Sequence, residues 1–297
     1  MKIFLSGCAG HLARALLPGL CAHPAVEAVV GVDLHATAFR HPKFSAYQLD
    51  YASAEALVLV SGCDGLAHLG FTVLRGKMDA QCMWQNNVAG SQALFEAARR
   101  TGVKHIVHVS SAAVYGSGEN LREAAPLSPV AGFLYACHKA ELESWLQANL
   151  PRAVCLRPHI ILGPHALPLL KFLLRQPCYL RFRDPQPLLQ CVHEEDVATA
   201  IIAGLMSEAW GAFNLAAAQA FSFKDLIRVR HALPCALPPW LARGVLHGLW
   251  RLTGAGGEPG WLKVADRSLT LDCSRAQREL GWRPGHSAVR AVQDASS

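Results

Sequence analysis

The chain has 297 residues, of which 52% are apolar and 17% are charged, and its formal net charge is +6. This composition provides for a large buried core and excludes a mainly disordered protein. The basic residues are scattered rather than clustered, so no nucleic acid partner is predicted. Ten cysteines occur without a C-x-x-C pair, and neither a signal peptide nor an apolar run of membrane-spanning length is evident. These features predict reduced thiols and a cytoplasmic location.

The first predicted strand, residues 2–7, leads directly into a turn of small residues. Gly7, Gly10 and Ala13 are spaced by three. Gly7 permits the turn, Gly10 lets the backbone approach a ligand, and Ala13 lets the following helix lie close to the strand. The free N–H groups at such a helix start favour the pyrophosphate of a dinucleotide, although glycine turns between strands and helices are also common without a ligand.

The second predicted strand, residues 28–33, ends in Asp33, which lies 23 residues beyond Gly10. A carboxylate at this place accepts hydrogen bonds from the ribose hydroxyls of the adenosine. It repels a ribose phosphate, so NAD is predicted in preference to NADP. Two alternatives stay open: Asp33 could cap the following turn, or Arg40 and Lys43 could neutralise a phosphate.

Four further strands are predicted at 46–50, 65–71, 105–111 and 153–158, with a crossover helix over 84–102. Buried strands joined by helices predict an α/β fold, a Rossmann-type doubly wound parallel sheet. The composition changes near residue 163. We therefore predict a cofactor-binding domain over 1–163 and a smaller, mixed substrate-binding region over 164–297, with segments at about 189–204 returning to the main sheet.

The predicted catalytic residues are a serine at the end of the fifth strand and a Tyr–Lys pair downstream. Tyr135 and Lys139 are four residues apart, which places both side chains on one face of a helix. A neighbouring ammonium and a positive nicotinamide ring are expected to lower the pKa of the tyrosine. The tyrosine can then exchange a proton with a substrate oxygen while a hydride moves to or from the cofactor.

The chain resembles the extended short-chain dehydrogenases/reductases, the NAD-dependent epimerase/dehydratase group. The segments that carry the resemblance are GCAGHLA (7–13), HLGF (68–71), NNVAGS (86–91), SSAAVYG (110–116), YACHK (135–139), LRPHIILGP (156–164), VHEEDVATAI (192–201) and SRAQRELGWRP (274–284). The serine three residues before Val114 aligns with the active-site Ser/Thr of the family. The resemblance therefore implies Ser111, rather than Ser110, as the catalytic serine.

The resemblance also implies the residues that contact NAD. Asp50 matches an acid beside the adenine, and Asn87 matches the Asn of a family motif. His159 could instead be a packed histidine. The predicted cofactor-binding residues are Gly7, Gly10, His11, Leu12, Asp33, Asp50, Tyr51, Leu69, Gly70, Phe71, Asn87, Val109, Tyr135, Lys139, Pro158, His159 and Ile160.

Departures from the family pattern point to the substrate. Ile160 stands where nucleotide-sugar enzymes have an Asn, Leu189 and Gln190 stand where they have Arg-Asp, and His165 replaces a common Arg. A diphosphate bound without these groups would be poorly compensated. We therefore predict a dehydrogenase or reductase acting on a secondary alcohol or ketone of a small apolar or lipid-like substrate. The alternatives are a nucleotide-sugar epimerase or dehydratase and a non-catalytic NAD-binding regulatory protein.

The last third of the chain contains two apolar segments with interspersed arginines, 167–182 and 237–252. They could line an apolar pocket, make weak contact with a membrane surface, or belong to an ordinary core. The predicted partners are a small-molecule substrate and a second copy of the chain, paired through 84–102 and 135–149 as the resemblance implies. Fourteen histidines form no H-x-x-x-H pattern, and no metal site is predicted.

Overall fold

A computed structural model describes residues 1–74, 76–182, 185–241, 244, 248 and 260–297. The strands in chain order are β1 Lys2–Ser6, β2 Ala28–Asp33, β3 Phe44–Gln48, β4 Gly65–His68, β5 His105–Val109, β6 Gly118–Leu121, β7 Val154–Pro158, β8 Ile160–Leu162, β9 Cys178–Leu180, β10 Cys191–His193, β11 Gly211–Leu215, β12 Cys235–Leu237 and β13 Leu269–Leu271.

Seven of these strands form a parallel central sheet in the order β11-β7-β5-β4-β1-β2-β3. The α/β fold class predicted from the sequence is therefore confirmed, and all six predicted strands belong to this sheet. The third strand begins at Phe44 rather than residue 46, because β2 pairs with it from Val29 to Asp33. The seventh strand, β11, was not predicted, and it forms the edge beyond β7.

The helices cover both faces of the sheet. In chain order they are α1 His11–Ala22, α2 Ala54–Val60, α3 Ala80–Trp84, α4 Gly90–Arg100, α5 Leu134–Asn149, α6 Pro168–Arg175, α7 Glu194–Met206, α8 Phe223–Arg228, α9 Gly260–Ala265, α10 Ser274–Glu279 and α11 Ala288–Ser296. Apolar side chains of α1 and α7 form a core on one face of the sheet. Those of α2, α4 and α5 form a core on the other face.

The predicted crossover helix over 84–102 is observed with one irregularity. A π-helical turn, Gln85–Ala89, joins α3 to α4. The helix ends at Arg100, and Gly102 follows in the left-handed conformation (φ 77°) that glycine adopts readily. The π turn carries Asn87, and π turns often occur at functional sites.

The region after residue 163 departs from the prediction in one respect. Strand β10 does not join the central sheet but pairs with β8, because β8 extends beyond the end of β7 and offers its own edge. The chain returns to the central sheet in two places. Helix α7 packs on the sheet through Ile201 and Leu205, and strand β11 pairs with β7.

Two pairs of short strands complete this region, β6 with β13 and β9 with β12. Among the described residues, no helix has the length and apolarity needed to cross a membrane. Of the apolar segment predicted over 237–252, residues 242–243, 245–247 and 249–252 lie outside the described residues. Membrane-surface contact and pairing of two copies stay predictions.

Candidate cofactor and catalytic site

The glycine turn after β1 is packed directly against the chain that follows β4. Gly7 has φ 77°, and its N–H donates to the Val32 carbonyl over 2.8 Å. A Cβ at Gly7 would lie 2.6 Å from the backbone nitrogen of Gly70. Only glycine fits here, because both the backbone conformation and the close approach exclude a side chain.

The first turn of α1 offers the anion-binding groups expected of this fold. Gly10 precedes the helix, and no side chain caps it. The N–H groups of the first turn, including those of His11 and Leu12, are therefore not occupied by a cap. Burial lowers the pKa of the His11 imidazole. The turn and helix start thus fit the pyrophosphate of NAD.

Asp33 is joined to the glycine turn by hydrogen bonds. Its Oδ2 accepts from the Ala9 N–H over 3.0 Å, and its Oδ1 accepts from the His35 N–H over 2.9 Å. The two cations that could have neutralised a ribose phosphate bind backbone carbonyls instead. Arg40 donates to Thr37 and Phe39, and Lys43 donates to His23. The carboxylate is therefore the charged group at the end of β2 nearest to the turn.

The chain after β4 lies between β1 and the residues preceding α2. Leu69 and Gly70 donate to the backbone oxygen and the hydroxyl of Ser6 over 3.2 and 3.3 Å. A Cβ at Gly70 would meet the Tyr51 ring at 3.0 Å. Burial raises the pKa of Tyr51 to about 12, and its hydroxyl donates to the Asn86 carbonyl. Asp50, the predicted adenine neighbour, is exposed and accepts from the Ala52 N–H over 2.8 Å.

Asn87 holds the segment after Phe71 in place. Its side chain is fully buried, its Oδ1 accepts from the Thr72 N–H over 2.7 Å, and its Nδ2 donates to the Thr72 carbonyl over 3.0 Å. This paired contact fixes the loop that carries Phe71. The predicted role of Asn87 in lining the cofactor site is therefore accompanied by a structural role in the loop.

The structure brings the three predicted catalytic side chains together. Ser111, which follows β5, lies close enough to the Tyr135 side chain to lower its pKa. Lys139 lies one turn further along α5, and its Nζ donates to the Val109 carbonyl over 2.6 Å. The same nitrogen lies 3.5 Å from the centroid of the Phe71 ring, whose plane is nearly perpendicular to that of Tyr135. This arrangement favours Ser111 over Ser110, because the Ser110 hydroxyl instead donates to the Glu143 carboxylate.

The electrostatics of the pair differ from the expectation that Lys139 lowers the pKa of Tyr135. Burial raises the pKa of Tyr135 to about 12, and the hydrogen bond with Ser111 offsets this only in part. Burial lowers the pKa of Lys139 to about 7. Both shifts arise because the charged forms are removed from water. A positive nicotinamide ring beside Tyr135 would lower the pKa of the tyrosine and so oppose the effect of burial.

A buried polar network behind the predicted catalytic residues was missed by the sequence analysis. Glu143 accepts from Ser110 Oγ and from two nitrogens of Arg157, the shorter contact being 2.6 Å. Arg157 also donates to the Tyr115 hydroxyl over 2.6 Å, and that hydroxyl donates to Asn214 over 2.7 Å. The available signal was the spacing of Glu143, four residues after Lys139 on the same face of α5.

The three residues at the end of β7 and the start of β8 are largely structural. Pro158 is the last residue of β7, and Ile160 opens β8 opposite Cys191. His159 is buried, its Nε2 lies 2.9 Å from the Leu269 carbonyl, and its Nδ1 accepts from the Ile160 N–H over 2.8 Å. Burial lowers the pKa of His159 to about 4. These contacts are those of a packed neutral histidine, the alternative considered for this residue.

The two positions at which nucleotide-sugar enzymes have Arg-Asp are occupied here by Leu189 and Gln190, whose side chains make contacts within the protein. Leu189 is buried among the apolar residues around β10. Gln190 is also buried, and its Nε2 donates to the Ala217 carbonyl over 3.0 Å while its Oε1 accepts from the Leu271 N–H over 2.7 Å. Both therefore hold the C-terminal region together and present no charge to a ligand.

Comparison with known proteins agrees with this geometry. Residues 3–216 match the model of the NAD dependent epimerase/dehydratase family. A ketoreductase of Stigmatella aurantiaca that acts on a 4-farnesyl-3,4-dihydroquinoline-1-oxide is 28% identical, over 95% of this chain and 92% of that protein. A UDP-glucose 4-epimerase of Corynebacterium glutamicum is 24% identical, over 99% of this chain and 94% of that protein.

Solved structures show the same fold. MoeE5 in complex with UDP-glucose and NAD has a TM-score of 0.77 at 19% identity, covering 100% of this chain and 97% of that one. The Thermus thermophilus UDP-glucose 4-epimerase in complex with NAD has a TM-score of 0.75 at 21% identity, covering 99% of each chain. The predicted family, enzyme class and NAD cofactor are confirmed: this chain belongs to the NAD dependent epimerase/dehydratase family and is an enzyme of the extended short-chain dehydrogenase/reductase type.

Proposed function

We propose that this enzyme moves a hydride between NAD and a secondary alcohol or ketone on a small apolar or lipid-like substrate, and releases the changed cofactor. The observation that carries the proposal is the pair Leu189 and Gln190. The first is buried in an apolar core, and both polar ends of the second are bound by backbone groups. No cationic side chain stands at these positions to hold a nucleotide diphosphate.

The cations that could replace the missing clamp are mostly engaged elsewhere. Arg157 is buried against Glu143 and Tyr115. Arg152 pairs with Glu208 over 3.1 Å, and Arg175 donates to the carbonyl of Ser296. Lys171 donates to the Pro164 carbonyl over 3.0 Å. Arg183 lies outside the described residues, and Arg181 is exposed on the segment after β9.

The chemistry at the site would be carried by three side chains. Ser111 and Tyr135, which lie beside one another, would hold the reacting oxygen of the substrate between them. Tyr135 would give or take the proton on that oxygen, and Lys139 would hold a positive charge next to it. NAD supplies the hydride acceptor, and NADH the donor, on the carbon that carries this oxygen.

The relatives support both this proposal and its alternative. The Stigmatella ketoreductase matches almost the whole chain, and its name describes a prenylated, largely apolar substrate. The epimerases and dehydratases among the relatives favour a nucleotide sugar instead. The missing diphosphate contacts support the apolar substrate.

Calorimetric titration with UDP, GDP and dTDP tests the proposal. Each missing charge-assisted hydrogen bond removes roughly 1.5–3 kcal/mol of binding free energy, so we expect dissociation constants weaker than about 1 mM. Titration of the same preparation with NAD is the control for a folded cofactor site. A micromolar dissociation constant for any of the three nucleotides would overturn the proposal and favour an epimerase or dehydratase.

A further inference from the structure

Two cysteines face each other across the small sheet formed by β9 and β12. Cys178 and Cys235 are register partners in this parallel pair, so their side chains leave adjacent strands on the same face. Neighbouring strands lie about 4.8 Å apart, which is within the Cα separation of about 4.4–6.8 Å that a disulfide spans. The two sulfur atoms therefore need little backbone movement to be joined.

The strand pairing that brings the thiols together is anchored on both sides. The Cys235 N–H donates to the Pro177 carbonyl over 2.6 Å, and the Arg181 N–H donates to the Leu237 carbonyl over 3.0 Å. The first bond joins Cys235 to the residue before Cys178, and the second closes the other end of the strand pair. The register that places the thiols opposite each other is thus set by backbone contacts and not by the thiols themselves.

The two thiols differ in how accessible they are to solvent, so they are expected to react in a fixed order. Cys235 is exposed, whereas Cys178 is half-buried. Burial, reinforced by the neighbouring Cys235, raises the pKa of Cys178. The exposed thiol is therefore the one that an oxidant in solution reaches first, and the shielded thiol is placed to displace what has been attached to it.

The other eight cysteines lack this combination of a partner thiol and access. Cys82 is exposed on α3, and its N–H donates to the Asp79 carboxylate that caps the helix. The buried cysteines fill the core as small apolar side chains, and they are Cys8, Cys21, Cys63, Cys155 and Cys191. Cys137 and Cys273 are half-buried and lie within 3.8 Å of backbone carbonyls.

We propose that Cys178 and Cys235 form a reversible dithiol–disulfide site that cross-links β9 to β12. With a low-molecular-weight disulfide such as oxidised glutathione, the Cys235 thiolate attacks one sulfur, the S–S bond breaks, and one glutathione leaves as a thiol. Cys178 then attacks the Cys235 sulfur of the mixed disulfide and releases the second glutathione. Two protein thiols are oxidised, one disulfide is reduced to two thiols, and the two protein thiol protons end on the released thiols.

The site is tested by incubating the full-length protein with oxidised glutathione and measuring its intact mass and its reactive thiols. We expect the loss of two thiols and of the mass of two hydrogen atoms, both restored by dithiothreitol, with a Cys178–Cys235 link in the peptide map. The cross-link should also raise the melting temperature, because it constrains the unfolded chain.

Three single variants make the outcome specific. Cys178→Ser should stop at a glutathione adduct on Cys235, because the displacing thiol is gone. Cys235→Ser should lose both the adduct and the internal link, whereas Cys82→Ser should behave as the unaltered protein. A stable glutathione adduct on Cys235 of the unaltered protein, or a link between other cysteines, would overturn the proposal.

Discussion

At the scale of single residues, the carboxylate of Asp33 combines two tasks. It binds the N–H of Ala9 in the glycine turn, and it stands where the ribose of NAD is expected. Asp33→Ala should weaken NAD binding about tenfold to a hundredfold and narrow the preference over NADP, because a charge-assisted hydrogen bond contributes roughly 1.5–3 kcal/mol. Fluorescence titration with NADH and NADPH measures both constants.

The matched variant Asp33→Asn separates the two tasks. The amide oxygen can still accept from Ala9 but carries no charge to repel a ribose phosphate. It should lose less NADH affinity than Asp33→Ala, because the amide still accepts hydrogen bonds, and it should gain NADPH affinity. Tighter binding of NADPH than of NADH by the unaltered protein would contradict the assigned role of this carboxylate.

Tyr135 is the residue on which the proposed proton transfer depends. Tyr135→Phe keeps the ring that packs against Phe71 but removes the hydroxyl that Ser111 contacts. Turnover should fall by about 10²–10⁴-fold, while NAD binding is retained. Tyr47→Phe, at an exposed position of the edge strand β3, is the control. Near-native turnover by Tyr135→Phe would remove the tyrosine from the reaction.

Two adjacent buried histidines allow the contribution of hydrogen bonds to the free energy of unfolding to be compared. His68 and His108 are both fully buried, with stacked rings whose centroids are 5.4 Å apart. His68 hydrogen-bonds Ser6 over 2.6 Å and Ser91 over 2.8 Å, whereas His108 has no hydrogen-bond partner among the described residues. We expect His68→Phe to lower the free energy of unfolding by about 1–3 kcal/mol and His108→Phe to leave it unchanged or raise it.

The same histidines predict how stability depends on pH. Burial lowers the pKa of both well below 6.5, so the unfolded chain binds protons that the native protein does not. Their contribution to stability is present above about pH 6.5 and is lost as the pH falls below it. Urea unfolding at several pH values should show this loss, and His108→Phe should reduce its slope. A slope unchanged by the substitution would contradict the neutral, buried state of His108.

At the scale of elements, a buried ion pair joins helix α5, which carries Tyr135 and Lys139, to the sheet. Glu143 on α5 and Arg157 on β7 are both nearly inaccessible to solvent. Removing one partner leaves the other charge buried and uncompensated, so Glu143→Ala should lower the free energy of unfolding by about 3–5 kcal/mol. Urea denaturation gives the value. Glu96→Ala, on an exposed ion pair of α4, should cause no measurable change.

The elements also show where prediction from sequence succeeds and where it stops. Strands β1, β2, β4, β5 and β7 are mostly buried runs of apolar residues, which the periodicity of the sequence identifies directly. Strand β11, GAFNL, mixes glycine and asparagine with apolar residues and is too short to stand out. The Asn214 side chain of this strand accepts a hydrogen bond from the Tyr115 hydroxyl, which lies 99 residues earlier in the chain. No local sequence pattern indicates such a contact.

The candidate catalytic residues could be predicted, but their electrostatics could not. Tyr135 and Lys139 were predicted from a helical spacing of four and the serine from a strand end, and the resemblance to the family implied Ser111 rather than Ser110. The pKa of Tyr135 depends instead on how deeply the packed chain buries it. The Glu143–Arg157 pair likewise depends on the approach of α5 to β7, which only the folded chain defines.

At the scale of the whole molecule, the central claim is that this enzyme changes its cofactor in each cycle and then releases it. The most direct measurement follows the NADH absorbance of the enzyme with excess NAD and a panel of apolar secondary alcohols. The account predicts that one class of alcohol produces many equivalents of NADH per subunit, and that Tyr135→Phe abolishes the signal. NADH that never exceeds one equivalent per subunit, with NAD retained through gel filtration, would contradict it.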